Sequence, residues 1–580
     1  MAACQTRHFI RLSRRLRPTA SLNYLLLCRL LGAICLLIGG SMSVCLPFAF
    51  PFLAKRTHLP PAEAFESAGA WGLLISMGIS VVVGGLLMFV GRKGRGATLF
   101  QKEAMAIVGL SWVLATVLGA MPFYFSGTAL RLDATGTPQA VSFIDAMFES
   151  QSGFSTTGAT ILTDLESPHL VPHCILFWRS WTHFLGGLGI IVLFVAILGQ
   201  GSAGKAMVRA EMPGPTKEGS MPRMQKTALA FAGIYIGLNV VLTLVYMIEG
   251  MTLFDALCHA FATMATGGFS TYNGSLGGFD SVTIETTTIV FMILAGTNFT
   301  LLYLACLGGL GGLSKLFRDV EFRAYIGIIA VVTAGVIFFG MREGDDGFGS
   351  LGSSLRYGLF QVVSVITTTG YGTADFDGWN NFGRGVLFLL MFVGGCAGST
   401  GGGMKVIRHI LFYKILTQEI ERSHRPRVVR LLRIGGSTID DPNLARGIVV
   451  YFSMILAIFV FSWLLLITFE PDSTWNEEST ALQDPSTAQV VAGPVTELPE
   501  DLRRDEKQRR TLDDKLLDSA SAVAATLNNI GPGLGVVGAT KNYANFSQAA
   551  KLLFVWLMML GRVEVFSVLV LVFPTFWRRV

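Results

Sequence analysis

Ten predominantly apolar runs, each near the length a helix needs to cross a bilayer, dominate this sequence. They fall at roughly 25–46, 69–91, 105–127, 174–199, 226–249, 284–308, 323–341, 384–410, 446–469 and 549–574. Such a chain is expected to be an all-α polytopic membrane protein, because lipid cannot hydrogen-bond exposed backbone. Charged residues make up only 14%, against about a quarter in soluble domains. The net charge of +6 calls for no nucleic-acid partner, since the basic residues border the spans. The first run is too long for a signal-peptide core and lacks a small-residue cleavage site, so it reads as a retained span. The eight cysteines are scattered and form no CxxC or other metal-ligand spacing.

Basic residues cluster in alternate loops. They include Arg7, Arg11, Arg14, Arg15 and Arg17, then Arg92, Lys93 and Arg95, then Lys205, Arg209, Lys217, Arg223 and Lys226. Further along come Lys315, Arg318 and Arg323, then Arg422, Arg425, Arg427, Arg430 and Arg433, and finally Arg578 and Arg579, whereas 251–283 holds no Lys or Arg. The positive-inside rule then places both termini and these loops in the cytoplasm.

The outer loops after the third, fifth, seventh and ninth runs share one design. Each has a helix-like stretch too short to cross, a Thr/Gly/Asn cluster, and a return through small residues. The clusters centre on Thr157-Gly158, Thr266-Gly267, Thr369-Gly370 and Ile530-Gly531. Asp145, Asp255 and Asp518 precede the central glycine by twelve or thirteen residues. A near-fixed offset in three places is an internal repeat. The implied architecture is four pseudo-repeats of span, pore helix, filter loop and span around one central pore, after two extra N-terminal spans. The boundaries are 1–100 for the two-span region, then 101–200, 201–310, 311–435 and 436–580 for the repeats. A polar extracytoplasmic insertion at 470–514 interrupts the last.

A potassium filter replaces the ion's hydration shell with backbone carbonyls. Glycine reaches the torsions this requires at little steric cost, and a threonine hydroxyl can add an oxygen. Thr156, Ala265, Thr368, Tyr371 and Asn529 flank the central pairs, and the third loop, Thr368-Thr-Gly-Tyr-Gly372, differs by one residue from TVGYG. The short helices would aim their negative ends at the ion, with the aspartates capping their starts.

Two features below the filter point to gating. Gly394, Gly395, Gly398, Gly401, Gly402 and Gly403 interrupt the eighth run, and each interior glycine costs a helix about 1 kcal/mol. A flexible intramembrane loop is the better reading, and a close-packing helix face is the bland one. Arg562 lies sixteen residues before Arg578, so about 24 Å above the inner end if helical. Facing a wet cavity, its charge would limit cation residence, while a structural bridge to carbonyls of the glycine loop is the alternative. Gly533 to Gly538 matches GxGxxG but follows a pore loop rather than a strand. His183 and His259 read as packed or capping residues. No arrangement supports an enzyme, and no cofactor is called for beyond potassium as the transported ligand.

These residues together resemble a TrkH-type subunit of the Trk/Ktr/HKT superfamily of potassium transporters. The matching segments are Met147-Phe-Glu-Ser, Gly153 to Thr160, Phe177-Trp-Arg-Ser, Leu185 to Ile190, Ala265 to Ser270, Ala295 to Phe299, Asn528 to Gly533 and Gly561-Arg562. The resemblance implies potassium uptake in a bacterial cytoplasmic membrane, a homodimer with one pore per subunit, and a gating loop in the eighth span. It also implies a cytoplasmic TrkA-like nucleotide-binding regulatory subunit on the inner face. Serine at a filter glycine goes with sodium permeability in this superfamily, so Gly158, Gly267, Gly370 and Gly531 imply potassium preference. His183-Phe184 stands where Gln-Trp is usual, and Ala265 where Ser is common. Two other functions compete: a secondary transporter coupling potassium to sodium or proton entry, for which Glu564 is the main acidic candidate, and a receptor or scaffold with a degenerate pore.

Overall fold

The computed structural model describes residues 22–59, 64–94, 100–132, 137–189, 224–345, 347–426, 432–434, 437–439, 442–475, 515–563 and 565–577. The N-terminal arginines, Lys205, Arg209, Lys217, Arg223, Arg427, Arg430, Glu564, Arg578, Arg579 and nearly all of the 470–514 insertion lie outside them.

Two helices open the chain, α1 (Tyr24–Met42) and α2 (Ser67–Val90). Asn23 starts α1 by accepting a hydrogen bond from the Leu26 amide at 3.1 Å. The two helices approach through glycines: a methyl on Gly32 would lie 2.7 Å from the Gly84 carbonyl oxygen. Small residues at such crossings supply close backbone packing where no hydrophobic force acts between helices in lipid.

The remaining helices follow one order four times: long, short and buried, loop, return. The long helices are α3 (Gln101–Phe125), α6 (Met224–Ile248), α10 (Val320–Glu343) and α14 (Pro442–Phe469). The short ones are α4 (Phe143–Phe154), α7 (Leu253–Met264), α11 (Leu351–Ile366) and α15 (515–527). Seven helices among the described residues are long and apolar enough to cross a membrane.

The return segments at 284–308 and 549–574 differ from the uninterrupted runs expected there, because each is broken near its middle, while the run at 384–410 is interrupted where its glycines implied. The second is α8 (Val282–Ala295) followed by α9 (Phe299–Arg318), where Asn298 restarts the helix by accepting from the Thr300 amide at 2.8 Å. The third is α12 (Asn381–Leu390), a non-helical stretch to Lys405, then α13 (Val406–His424). The fourth is α16 (Gln548–Arg562) and α17 (Val565–Val572). In the first, α5 (His173–Leu188) ends at Gly189 with φ +73°. Hydropathy is blind to such breaks because Gly, Thr and Asn within an apolar run barely change the average.

Beside a small apolar cluster between α13 and α14, the core forms two large ones. One joins α1–α5 to α15–α17, and the other joins α6–α12, so the first and last units share a core. A buried ion pair also ties these units: Lys551 Nζ of α16 donates to Asp145 Oδ1 of α4 at 2.7 Å and to the Ala544 carbonyl at 2.8 Å. Lys551→Met would leave the buried Asp145 carboxylate without its counter-charge, a loss of about 3–5 kcal/mol. Thermal unfolding in detergent should fall by several degrees for Lys551→Met and recover in Lys551→Met/Asp145→Asn. Equal unfolding temperatures for wild type and the single variant would contradict the pair's role.

Candidate ion-conduction site

The site starts at the short helices. Ser142 and Thr252 cap α4 and α7, accepting from the amides of Asp145 (3.1 Å) and Asp255 (3.4 Å), and Ser350 caps α11. The aspartates expected as caps therefore sit one turn inside. Asp145 completes a capping box by accepting from the Ser142 amide at 3.0 Å. Asp255 accepts instead from the Thr57 amide and hydroxyl, both at 2.7 Å, from Thr271 at 2.8 Å and from Tyr272 at 3.1 Å. Asp518 accepts from the Val536 amide at 3.0 Å. Two of the three thus fasten outer loops rather than helix ends.

Beyond the helices the four loops adopt one backbone path. The amides of Thr157, Gly267, Thr369 and Ile530 donate to Ser152, Ala262, Ser364 and Ala525 carbonyls at 2.8–2.9 Å. Just before them Thr156, Thr266, Thr368 and Asn529 have φ of +53°, +54°, +59° and +55°. Just after them Gly158, Gly268, Gly370 and Gly531 have φ of +83°, +73°, +77° and +94°. Non-glycine residues rarely hold positive φ, so its recurrence at four equivalent places marks a shared constraint. Alternating left- and right-handed torsions let successive carbonyls face one side.

This register corrects the second loop. Gly268, not Gly267, is equivalent to Gly158, Gly370 and Gly531, and Gly267 matches Thr157, Thr369 and Ile530. The sequence held the signal: Asp145, Asp255 and Asp518 each stand thirteen residues before Gly158, Gly268 and Gly531. The Thr266-Gly267 pair imitated Thr-Gly and drew attention one residue early.

The loops close into a ring. A Cβ added to Gly158 would collide with the Gly267 carbonyl oxygen, one on Gly268 with that of Thr369, and one on Gly370 with that of Ile530. One on Gly531 would lie 2.6 Å from the Thr157 carbonyl oxygen. Each central glycine therefore seats against the next loop, and the fourth returns to the first.

The threonine hydroxyls expected as extra ligands are engaged within the scaffold. Thr157 Oγ1 meets Ser155 Oγ at 2.7 Å and accepts from Asn529 Nδ2 at 3.0 Å, and Thr369 Oγ1 meets Thr367 Oγ1 at 2.8 Å. Behind the ring, Arg179 Nε donates to Glu149 Oε1 at 2.5 Å and Nη1 to the Ser270 carbonyl at 2.8 Å. Glu149 also accepts from the Ile161 amide at 3.1 Å. That buried pair joins the first two loops. His183 fills the space behind Gly267, whose Cβ would sit 2.5 Å from its imidazole, and stacks on Phe269 at 4.0 Å. Tyr371 OH donates to the His259 carbonyl at 3.2 Å. Ala265 precedes the left-handed Thr266 of the second loop.

The glycine run lies against one rim of the ring. Gly402 N donates to Thr368 Oγ1 at 2.8 Å, a Cβ on Gly402 would sit 2.7 Å from Asn529 Cβ, and one on Gly401 3.1 Å from the Thr367 carbonyl oxygen. The run is not slack, as a flexible loop would be. Gly394 N bonds Met404 O at 2.7 Å, Val406 N bonds Gly395 O at 3.2 Å, and Phe299 N bonds Gly398 O at 3.0 Å. Gly398 and Gly403 take φ of +72° and +64°. Lys405 Nζ, fully buried, donates to Gly401 O.

Glu321, which the sequence did not single out, accepts from the amides of Ala397 (2.7 Å) within the run and Ile407 (3.1 Å) in the helix that follows it. Arg562 Nη1 donates to Thr400 O and Nη2 to Gly186 O at 2.7 Å. Arg562 thus links one carbonyl of the glycine run to the last turn of α5, and the residue is half-buried. On the other side of the ring a cavity of about 320 Å³ opens, lined by Gly158, Gly268, Gly370 and Gly531.

This arrangement can be compared with known proteins. The chain matches the TrkH family, described as cation transport protein, over residues 74–474 and 511–578. The chain belongs to the TrkH family. It is 36% identical over 505 residues to the Trk system potassium uptake protein TrkH of Escherichia coli K12, covering 86% of this chain and 91% of that protein. It is 35% identical over 532 residues to TrkH of Halomonas elongata, covering 90% and 96%. The crystal structure of the potassium transporter TrkH from Vibrio parahaemolyticus aligns with a TM-score of 0.74 at 30% identity, covering 96% of this chain and all of that one. TrkH relatives are transporters, so this member is a transport protein of a membrane.

The register is testable by a double-mutant cycle. Gly267→Ala should destabilise strongly with His183 present and little in a His183→Ala background, a coupling of about 1–3 kcal/mol. Gly268→Ala, held at positive φ against a backbone carbonyl, should cost the same in both backgrounds. Thermal unfolding in detergent reads the cycle, and the opposite pattern would return the second loop to its earlier register.

Proposed function

We propose that this chain takes potassium ions into a bacterial cell through one central pore, whose narrowest part is the ring of four loops. The carrying observation is the cyclic seating of Gly158, Gly268, Gly370 and Gly531 against neighbouring carbonyls. Such a ring offers backbone oxygens in place of water, and the relatives are named as potassium uptake proteins. The carbonyls of Thr157, Gly267, Thr369 and Ile530 face the neighbouring glycines, and Thr156, Thr266, Thr368 and Asn529 form the next layer. The four units then act as pore repeats around that ring, after two accessory helices.

The 394–403 run, bridged to Arg562, is the gate in this reading. It lies across one rim of the ring, taken as the cytoplasmic one, with the chain in the cytoplasmic membrane and both termini in the cytoplasm, as the distribution of basic loops supports. A homodimer, surrounding lipid and a cytoplasmic TrkA-like nucleotide-binding subunit complete the system. The chain itself needs no cofactor and performs no enzymatic step. Coupled symport with sodium or protons is the second reading. Glu564 lies outside the described residues; among these, Glu321 is a buried acid that touches the gate, and its Oε1 already takes two amide hydrogen bonds, which favours an anchoring role over ion coupling.

The test is growth of an uptake-deficient bacterium at low potassium, which the gene should restore. In that strain Gly370→Ser should admit sodium, and unchanged potassium-over-sodium selectivity in rubidium-competition uptake would count against the ring as filter. Arg562→Ala should raise flux severalfold with selectivity unchanged. Loss of transport in correctly folded Arg562→Ala protein would remove the gate from the account.

A further inference from the structure

The cavity beyond the ring has an unexpected charge. Arg179 and Lys541 are its charged lining residues, and no acid lines it among the described residues. The two are not equivalent. Arg179 is buried and offset by Glu149 Oε1 at 2.5 Å. Lys541 is half-buried, between the fourth loop and α16.

Its backbone is fixed: Lys541 N donates to Gly538 O at 3.1 Å, and Tyr543 N two residues on donates to Thr160 O at 2.8 Å. Tyr543 OH donates to the Gly531 carbonyl at 2.8 Å, so this segment leans on the ring itself. Asp377 lies within electrostatic reach of Lys541, and its carboxylate accepts the Gly535 amide at 3.0 and 3.1 Å. Asp164 and Glu166 accept from Asn273, at 2.9 Å each.

We propose that Lys541 is a fixed cation at the outer mouth that weakens capture of incoming potassium and so helps set the apparent affinity of uptake. The inference rests on reading the ring as the ion pathway, since only then must each ion pass this cavity. A narrow cleft with low-dielectric walls focuses the field of its lining charges onto an entering ion. A cation there lowers the local potassium concentration and leaves the ring chemistry alone.

The experiment is rubidium uptake by the full-length protein in proteoliposomes, comparing Lys541→Gln, Lys541→Glu and Lys541→Arg at low ionic strength and in 1 M choline chloride. The expected result is an apparent KM for rubidium lowered about twofold by Lys541→Gln and about fivefold by Lys541→Glu, with maximal rate and Lys541→Arg unchanged. At about 1 M salt the Debye length shrinks to roughly 3 Å, and the differences should vanish. Equal KM in all four proteins, or a KM shift that persists at high salt, would overturn the proposal. Gly370→Ser serves as the control. If it alters rubidium-over-sodium discrimination while Lys541 variants leave KM unmoved, this inference fails and the ring reading stands. If neither moves, both fail.

Discussion

Backbone at membrane depth has no water to bond, so every non-helical stretch there must find its partners within the protein. The rest of this structure is organised by that constraint. Four loops leave helical geometry together, and they do so where each can rest on the next. Glycine is needed at Gly158, Gly268, Gly370 and Gly531 because the neighbouring carbonyl occupies the place of a side chain. The short helices, the Glu149–Arg179 pair and the Asp145–Lys551 pair hold the loops in that position. Closing the ring also brings the first and last units into one core.

The same constraint governs the glycine run. Fifteen residues without helix, 391–405, lie between α12 and α13. Their amides and carbonyls are taken up by Gly296, Ala295, Phe299, Glu321 and Thr368. The break in the second return segment serves this one, since the Gly296 carbonyl and the Phe299 amide are free to bond the run only because that helix stops at Ala295. An element that moves here must exchange those bonds for others. That makes a discrete, switchable position more natural than loose flexibility.

Much of this was legible in the sequence. Apolar runs gave the long helices within a few residues, and the aspartate-to-glycine offset marked three of the four loops. Thr368-Thr-Gly-Tyr-Gly372 and Arg562 pointed to the chemistry of the ring and its inner contact. The missed features share a cause, which is that they depend on partners distant in the chain. Glu321 lies 76 residues from Ala397, and nothing local distinguishes it from an ordinary acid in a helix's first turn. The helix breaks after Ala295 and Arg562 hide in apolar averages. At Gly267-Gly268, two adjacent glycines fit the local pattern, and only the contact with Thr369 on another loop decides between them.

The central claim is that ions occupy the axis of the ring. Anomalous diffraction from crystals soaked in thallium or rubidium tests it most directly. The account predicts anomalous peaks on that axis, between the carbonyls of Thr157, Gly267, Thr369 and Ile530. Peaks confined to other parts of the protein, with an empty axis in a well-ordered ring, would contradict it.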